Sequence, residues 1–445
     1  MPTQKKHSSL SDISIADAEV SLEQLMAVAM QGQRVRISSD PGWLAKLNRG
    51  RRILEDSLSD GKRIYGVSTS VGYSSGRSVG PEHSQEFAYQ IIRQHGCGVG
   101  APFSRQEGRA IVFARLVSLA KGYSAVRPAL LEALCRLLNH DLIPVIPSLG
   151  SVGASGDLTP LSYLAAVLCG EREAYYDGEV LPAAEALERA GLPAHDFVPK
   201  ESLAIMNGTA VMTAIGAITV TRFDRTLAAC ERASALAAEV LYGRSQAFHP
   251  TAHALKHHPG QIASAAAIRA ALDGSRLIDS HKEAGRIIQD PYSIRCSPHV
   301  IGAARDASSW MRQVLQRELN SVNDNPIVDP DRGDTIFAGN FYGGHIALAM
   351  DLLKTAAASV AGPNLVGAAV DAVTEGLAGD ATAAGSRLTT IIVALVVVSI
   401  VEWASNRSRL YILADMGTRV IVEIRAGMFD HLQTLSMRFY DNYKT

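Results

Sequence analysis

The sequence predicts a mainly α-helical fold. Aromatic residues make up only 6% of its 445 positions. Alanine and glycine are plentiful, and small side chains suit close-packed helices better than stacked sheets. Long Ala- and Leu-rich stretches recur along the chain, and the length allows two or three domains. Lysine plus arginine number 43 against 44 acidic residues, a net charge of −1. That balance excludes a dedicated nucleic-acid binder and an acidic disordered protein.

The elements follow in order. Ser21–Met30 reads as a helix with Ser21 as N-cap and Leu22, Leu25 and Met26 on one face. Gly61–Gly80 is a loop, with five glycines and six serines or threonines in twenty residues; loops this long inside domains are usually functional. Glu82–His140 is helical, with breaks at Gly96–Pro102 and at Pro128. Pro144–Gly156 is a second loop. Thr159 reads as the N-cap and Pro160 as the first residue of the following helix. Ala174–Leu181 has a central Asp-Gly that predicts a hairpin. Helices are expected over Ser202–Leu241, Gln261–Leu272, Val300–Ser321 and Ile346–Ala358.

The N-terminal residues Met1–Val20 are polar, with no apolar signal core. The five cysteines are far apart and form no CxxC pair, so reduced thiols in a cytoplasmic protein and no metal site are expected. The texture changes near the end. Leu388–Ala404 carries one charge, Glu402, in seventeen residues, followed by Arg407 and Arg409. Extended through 388–410, this run is long enough to span a bilayer, with cations where the interface would lie.

Ala154-Ser155-Gly156 sits in a glycine-rich loop just before a helix. Gly156 has no Cβ, so its nitrogen can approach the Ala154 carbonyl carbon. Loss of water closes a five-membered ring, and loss of the Ser155 hydroxyl leaves an exocyclic methylene. The product is an electrophile built from backbone, and a helix N-terminus aimed at it would raise its reactivity.

This loop closely resembles the signature of the aromatic amino acid ammonia-lyases, the histidine and phenylalanine ammonia-lyase family. Other segments are similar to the family's motifs in the same order: Tyr65–Thr69, Leu119–Pro128, Met206–Thr209, His258–Gln261, Gln289–Cys296, Glu318–Pro326 and Gly339–Phe341. The resemblance covers residues 1–355. It implies an N-terminal α+β part (residues 1–200) followed by a long-helix bundle (201–355) of the aspartase/fumarase-like superfamily. It also implies the cofactor 4-methylidene-imidazol-5-one (MIO), formed from Ala154, Ser155 and Gly156, with no metal and no nucleotide.

By the same resemblance, Tyr65 is the base that removes a β-proton, Arg295 pairs with the substrate carboxylate, and Asn207 and Tyr292 hydrogen-bond the cofactor oxygen and the substrate. Gln289 and Phe341 match active-site positions. Gln94 and His95 occupy the pair that reads the substrate side chain. Histidine-specific members usually carry Ser-His there, so His95 fits and Gln94 departs. Histidine is the first-choice substrate, giving urocanate and ammonia, with a phenylalanine or tyrosine lyase or an aminomutase as alternatives. The family implies a homotetramer whose sites borrow residues from neighbouring subunits.

After Leu353-Lys354 the lyase pattern stops. Gly362–Asp371, Met416–Arg425, Met428–Leu435 and Phe439–Asp441 resemble the first membrane helices of an ABC exporter, with no nucleotide-binding motif after them. The expectation is an incomplete lyase joined near residue 355 to a transmembrane fragment (356–445), with impaired activity and poor assembly. The readings from other classes are a membrane transport component and a catalytically silent chimera.

Overall fold

A computed structural model describes residues 11–280 and 288–377, the last seventeen of these for the backbone alone. Residues Met1–Ser359 fall in one compact unit. The apolar run Leu388–Ala404 and the motifs from Met416 onward lie outside the described residues.

The helices in chain order are α1 (Leu22–Gln31), α2 (Pro41–Ser59), α3 (Ser84–His95), α4 (Arg105–Ala120), α5 (Pro128–Asn139), α6 (Leu158–Leu168), α7 (Ala183–Arg189), α8 (Glu201–Met206), α9 (Ala210–Val240), α10 (Pro250–Ala254), α11 (Pro259–Ala271), α12 (Tyr292–Arg295), α13 (Ser297–Leu319) and α14 (Gly344–Leu377). The strands are short: β1 (Ile13–Ile15), β2 (Val35–Ile37), β3 (Val99–Pro102), β4 (Ile143–Pro144), β5 (Pro147–Leu149), β6 (Glu173–Tyr176), β7 (Glu179–Pro182), β8 (Ile327–Val328) and β9 (Thr335–Ile336). β1 and β2 run parallel, and the other pairs, β3–β5, β4–β6, β6–β7 and β8–β9, are antiparallel.

Several expectations hold. Ser21 caps α1 in a reciprocal capping box with Gln24. β6 and β7 form the hairpin, its turn at Asp177 and Gly178, both with positive φ. α4 is buried continuously from Gly108 to Ala120, which makes it the axis of the core. It packs against α1, α5 and α9, while α9, α11 and α13 lie together as a bundle. The Glu201–Val240 stretch is apolar enough to cross a membrane, yet most of it is buried inside the fold, as a core helix is.

Three expectations are corrected. The helix after the second loop starts at Leu158 with Asp157, not Thr159, at the N-cap position. The expected Ser202–Leu241 helix is two helices, α8 and α9, broken at Asn207–Thr209. There the Asn207 and Gly208 carbonyls turn aside to accept hydrogen bonds from Arg115 and from the Asp157 backbone. The expected Ile346–Ala358 helix runs from Gly344 to Leu377.

Candidate active site

β5 delivers the chain into the tripeptide, and its antiparallel pairing with β3 sets Val99 opposite Leu149 and Pro102 opposite Pro147. The tripeptide itself is folded tightly. Ala154 N donates to Val152 O at 2.8 Å, and Gly156 N donates to Gly153 O at 3.2 Å. Gly156 has φ +73°, and a Cβ there would lie 2.6 Å from Gly208 O and 2.8 Å from Phe341 O. Only glycine fits between these two carbonyls. Behind it, Gly343 N donates to Gly153 O at 3.0 Å, so the Phe341–Gly343 segment is laced to the loop.

Asp157, next in sequence, is fully buried. Its carboxylate accepts the Ser151 hydroxyl at 2.7 Å and the backbone N–H groups of Val211 and Met212 at 2.8 and 3.0 Å. These are free donors of the first turn of α9. The Asp157 backbone N–H donates to Gly208 O at 2.7 Å. Burial raises the Asp157 carboxyl to about 6, opposed by those hydrogen bonds.

Asn207 ends α8 and is nearly buried. Its Nδ2 donates to Asn325 O at 3.2 Å, while its Oδ1 is buried without a partner. Its carbonyl accepts Arg115 Nη2 at 2.8 Å, and Arg115 also donates to Asn323 O at 2.9 Å and to Ala204 O. Complete burial lowers Arg115 to about 10, with Asp324 and Asp157 opposing.

Tyr65 stands between buried Ile64 and Val67, which pack with Leu54, Ala125 and Val328. Its hydroxyl accepts the Gly72 N–H at 2.9 Å. Gly66, beside it, lies against Leu203 of α8, the helix that ends at Asn207. Gln94 and His95 close α3, and His95 Nδ1 sits 2.8 Å from Ile91 O, to which it donates. The turn that follows is clamped to α6, with the Tyr163 hydroxyl donating to Gly96 O at 3.3 Å and Arg172 Nη2 to the same oxygen at 3.0 Å.

The structure therefore brings Ala154, Ser155, Gly156, Asn207 and Phe341 together, with Tyr65 and the Gln94–His95 pair on the elements around them. It does not bring in α12. Tyr292 is 74% exposed, Gln289 is exposed, and the Arg295 guanidinium stacks on the Tyr292 ring at 4.4 Å. Among the described residues, no hydrogen bond or ion pair joins Gln289, Tyr292 or Arg295 to the tripeptide group. The sequence reading did not single out Asp157 or Arg115. Asp157 had a usable signal, an acid directly after the motif, but Thr159–Pro160 is the stronger capping pattern and drew the reading.

Comparison with known proteins gives two family matches. A model described as aromatic amino acid lyase matches residues 20–364, and one described as ABC transporter transmembrane region matches residues 347–445. The chain is similar to a histidine ammonia-lyase of Anaeromyxobacter sp. (strain K), 41% identical over 350 residues, 77% of this chain and 68% of that protein. Among solved structures, a tyrosine aminomutase from Streptomyces globisporus is 35% identical with TM-score 0.72, covering 78% of this chain and 68% of its own. A histidine ammonia-lyase from Trypanosoma cruzi is 28% identical with TM-score 0.70, covering 80% and 66%.

Proposed function

The chain belongs to the aromatic amino acid lyase family, and from that premise we propose that it deaminates an aromatic L-amino acid without oxidation, histidine first, releasing urocanate and ammonia. The observation that carries this reading is the packing of Gly156. Its positive φ and the two carbonyls that exclude a Cβ fit a backbone that must close on itself. Gly156 N bonds to the Ala154 carbonyl carbon with loss of one water, and Ser155 then loses its hydroxyl as a second. The MIO group so formed supplies the electrophile that turns the amine into a better leaving group.

The remaining roles fall to the chain's own side chains. Tyr65 takes the β-proton, its oxygen held in place by the Gly72 N–H that donates to it. Gln94 and His95 meet the substrate ring. Asn207, whose buried Oδ1 has no partner, brings a free hydrogen-bond acceptor to this part of the site. Arg295 holds the carboxylate by a two-point ion pair, and Tyr292 and Gln289 orient the substrate.

Because α12 is apart from the tripeptide in one chain, these last three serve a site completed by a second copy, within a homotetramer. The lyase portion is cytoplasmic, and membrane association runs through residues 388–410. Both placements rest on sequence pattern and on the transporter match at 347–445.

The test adds histidine, tyrosine or phenylalanine to the full chain and follows the ultraviolet absorbance of the unsaturated acid. Turnover of histidine above the others supports the reading. No turnover with any of the three, together with a 154–156 peptide that keeps both waters, overturns it.

A further inference from the structure

Lys200 is the most unusual residue near the site that the reaction does not use. It is fully buried and has φ +86° and ψ −36°, a backbone conformation that strains a side-chain-bearing residue. Such strain persists only where surrounding contacts enforce it. In this backbone conformation Lys200 meets Asp324, whose Oδ2 accepts the Lys200 ammonium at 2.6 Å with both side chains out of solvent.

The pair sits at the head of a strut. Lys200 O accepts the Ala204 N–H at 2.8 Å and so opens α8, which is capped at its other end by Asn207. Both ends of α8 are tied to the same segment. At the head, Lys200 holds Asp324, whose Oδ1 accepts the Asn325 N–H at 2.7 Å. At the foot, Asn207 Nδ2 donates to Asn325 O, and Arg115 bridges Asn207 O to Asn323 O. The foot continues into Gly208, whose carbonyl is one of the two that press on Gly156.

We propose that Lys200 is a positioning residue for formation of the electrophile: its ion pair with Asp324 pins α8 to residues 323–325 and thereby sets the Asn207–Gly208 turn against Gly156. The proposal rests on the reading that Ala154–Ser155–Gly156 cyclises. It assigns Lys200 no contact with substrate. Losing the pair lets the turn retreat, and Gly156 N then no longer meets the Ala154 carbonyl carbon.

The full chain is refolded, digested, and the 154–156 peptide weighed by mass spectrometry over time, alongside a thermal melt. The wild-type peptide should lack two water molecules. Lys200→Met/Asp324→Leu removes both charges together, so that neither is left buried alone; the one partner lost besides is the Asn325 N–H that Asp324 Oδ1 accepts. It should still melt cooperatively, while water loss slows by roughly a hundredfold, the scale on which a displacement of about 1 Å in a reacting group acts.

Water loss at the wild-type rate in that double variant overturns the role of Lys200 and leaves the cyclisation reading intact. A wild-type peptide that keeps both waters overturns both. If the double variant does not melt cooperatively, Lys200→Gly decides, because glycine accepts this φ without strain. It leaves the Asp324 carboxylate buried without its partner, so it should melt at a lower temperature but still cooperatively, mature slowly, and recover when butylammonium fills the vacated space. Maturation without the amine, or failure to fold even with it, overturns the proposal.

Discussion

The Tyr65 hydroxyl accepts a hydrogen bond from the backbone N–H of Gly72, seven residues along the same loop, at 2.9 Å. The contact fixes the phenol oxygen of the expected base within its own loop. Tyr65→Phe keeps the ring and loses the oxygen. Turnover should fall by roughly 10²–10⁴-fold, the usual contribution of general base catalysis, while the 154–156 peptide still loses two waters. A variant that keeps wild-type kcat would remove Tyr65 from the reaction.

Gly156→Ala should block maturation. The new methyl meets two backbone carbonyls, Gly208 O and Phe341 O, which have no rotamer by which to yield. Together with the positive φ, the change should destabilise the chain by about 1–3 kcal/mol. Mass spectrometry of the peptide and urea melts read the two effects separately, and full dehydration in this variant would contradict the packing argument.

Separation of α12 from the tripeptide makes a prediction about mixtures. Tyr65→Phe and Arg295→Met chains should each be nearly inactive alone. Refolded together they should recover part of the wild-type rate, because a site built from two copies can draw its intact residues from different chains. No recovery in the mixture would place Tyr65 and Arg295 in one chain's site.

Acid stability should depend on Glu201. Burial pushes its carboxyl up, but hydrogen bonds from Arg127 and His195 and from the Arg127 backbone outweigh this and hold it at about 2, below its ordinary 4.5. The folded value is the lower one, so this stabilisation is complete above 4.5 and is lost as pH falls towards 2. It amounts to at most about 3 kcal/mol. Urea melts of wild type and Glu201→Gln should differ most near neutrality and converge over that acid window. A gap independent of pH would mean that the carboxylate charge contributes nothing.

Much of this was legible from local chemistry. The Ser21 N-cap, the Asp-Gly hairpin and the break at Pro128 are set by neighbouring residues, and a sequence carries such signals in a short window. The tripeptide and its glycine were legible for the same reason. What was not legible depends on long-range partners. Asn207-Gly208 is a local break signal that the helical pattern on either side masked, and what fixes the break is distant: its carbonyls are claimed by Arg115 and Asp157. Asp157 looked like a spectator because the donors it satisfies belong to α9. The placement of α12 was likewise invisible, since its spacing from the tripeptide along the chain is unrelated to their spacing in the fold.

The two carbonyls that enclose Gly156 come from residues 208 and 341, one shortly after the tripeptide and one far downstream. Protein chains emerge from the ribosome N-terminus first at about 5–20 residues per second. The tripeptide is therefore synthesised long before half of its enclosure exists. On the proposed cyclisation, maturation would be a record of completion: a nascent or prematurely terminated chain that ends before residue 341 would hold Ala, Ser and Gly in the right order and still carry an inert loop.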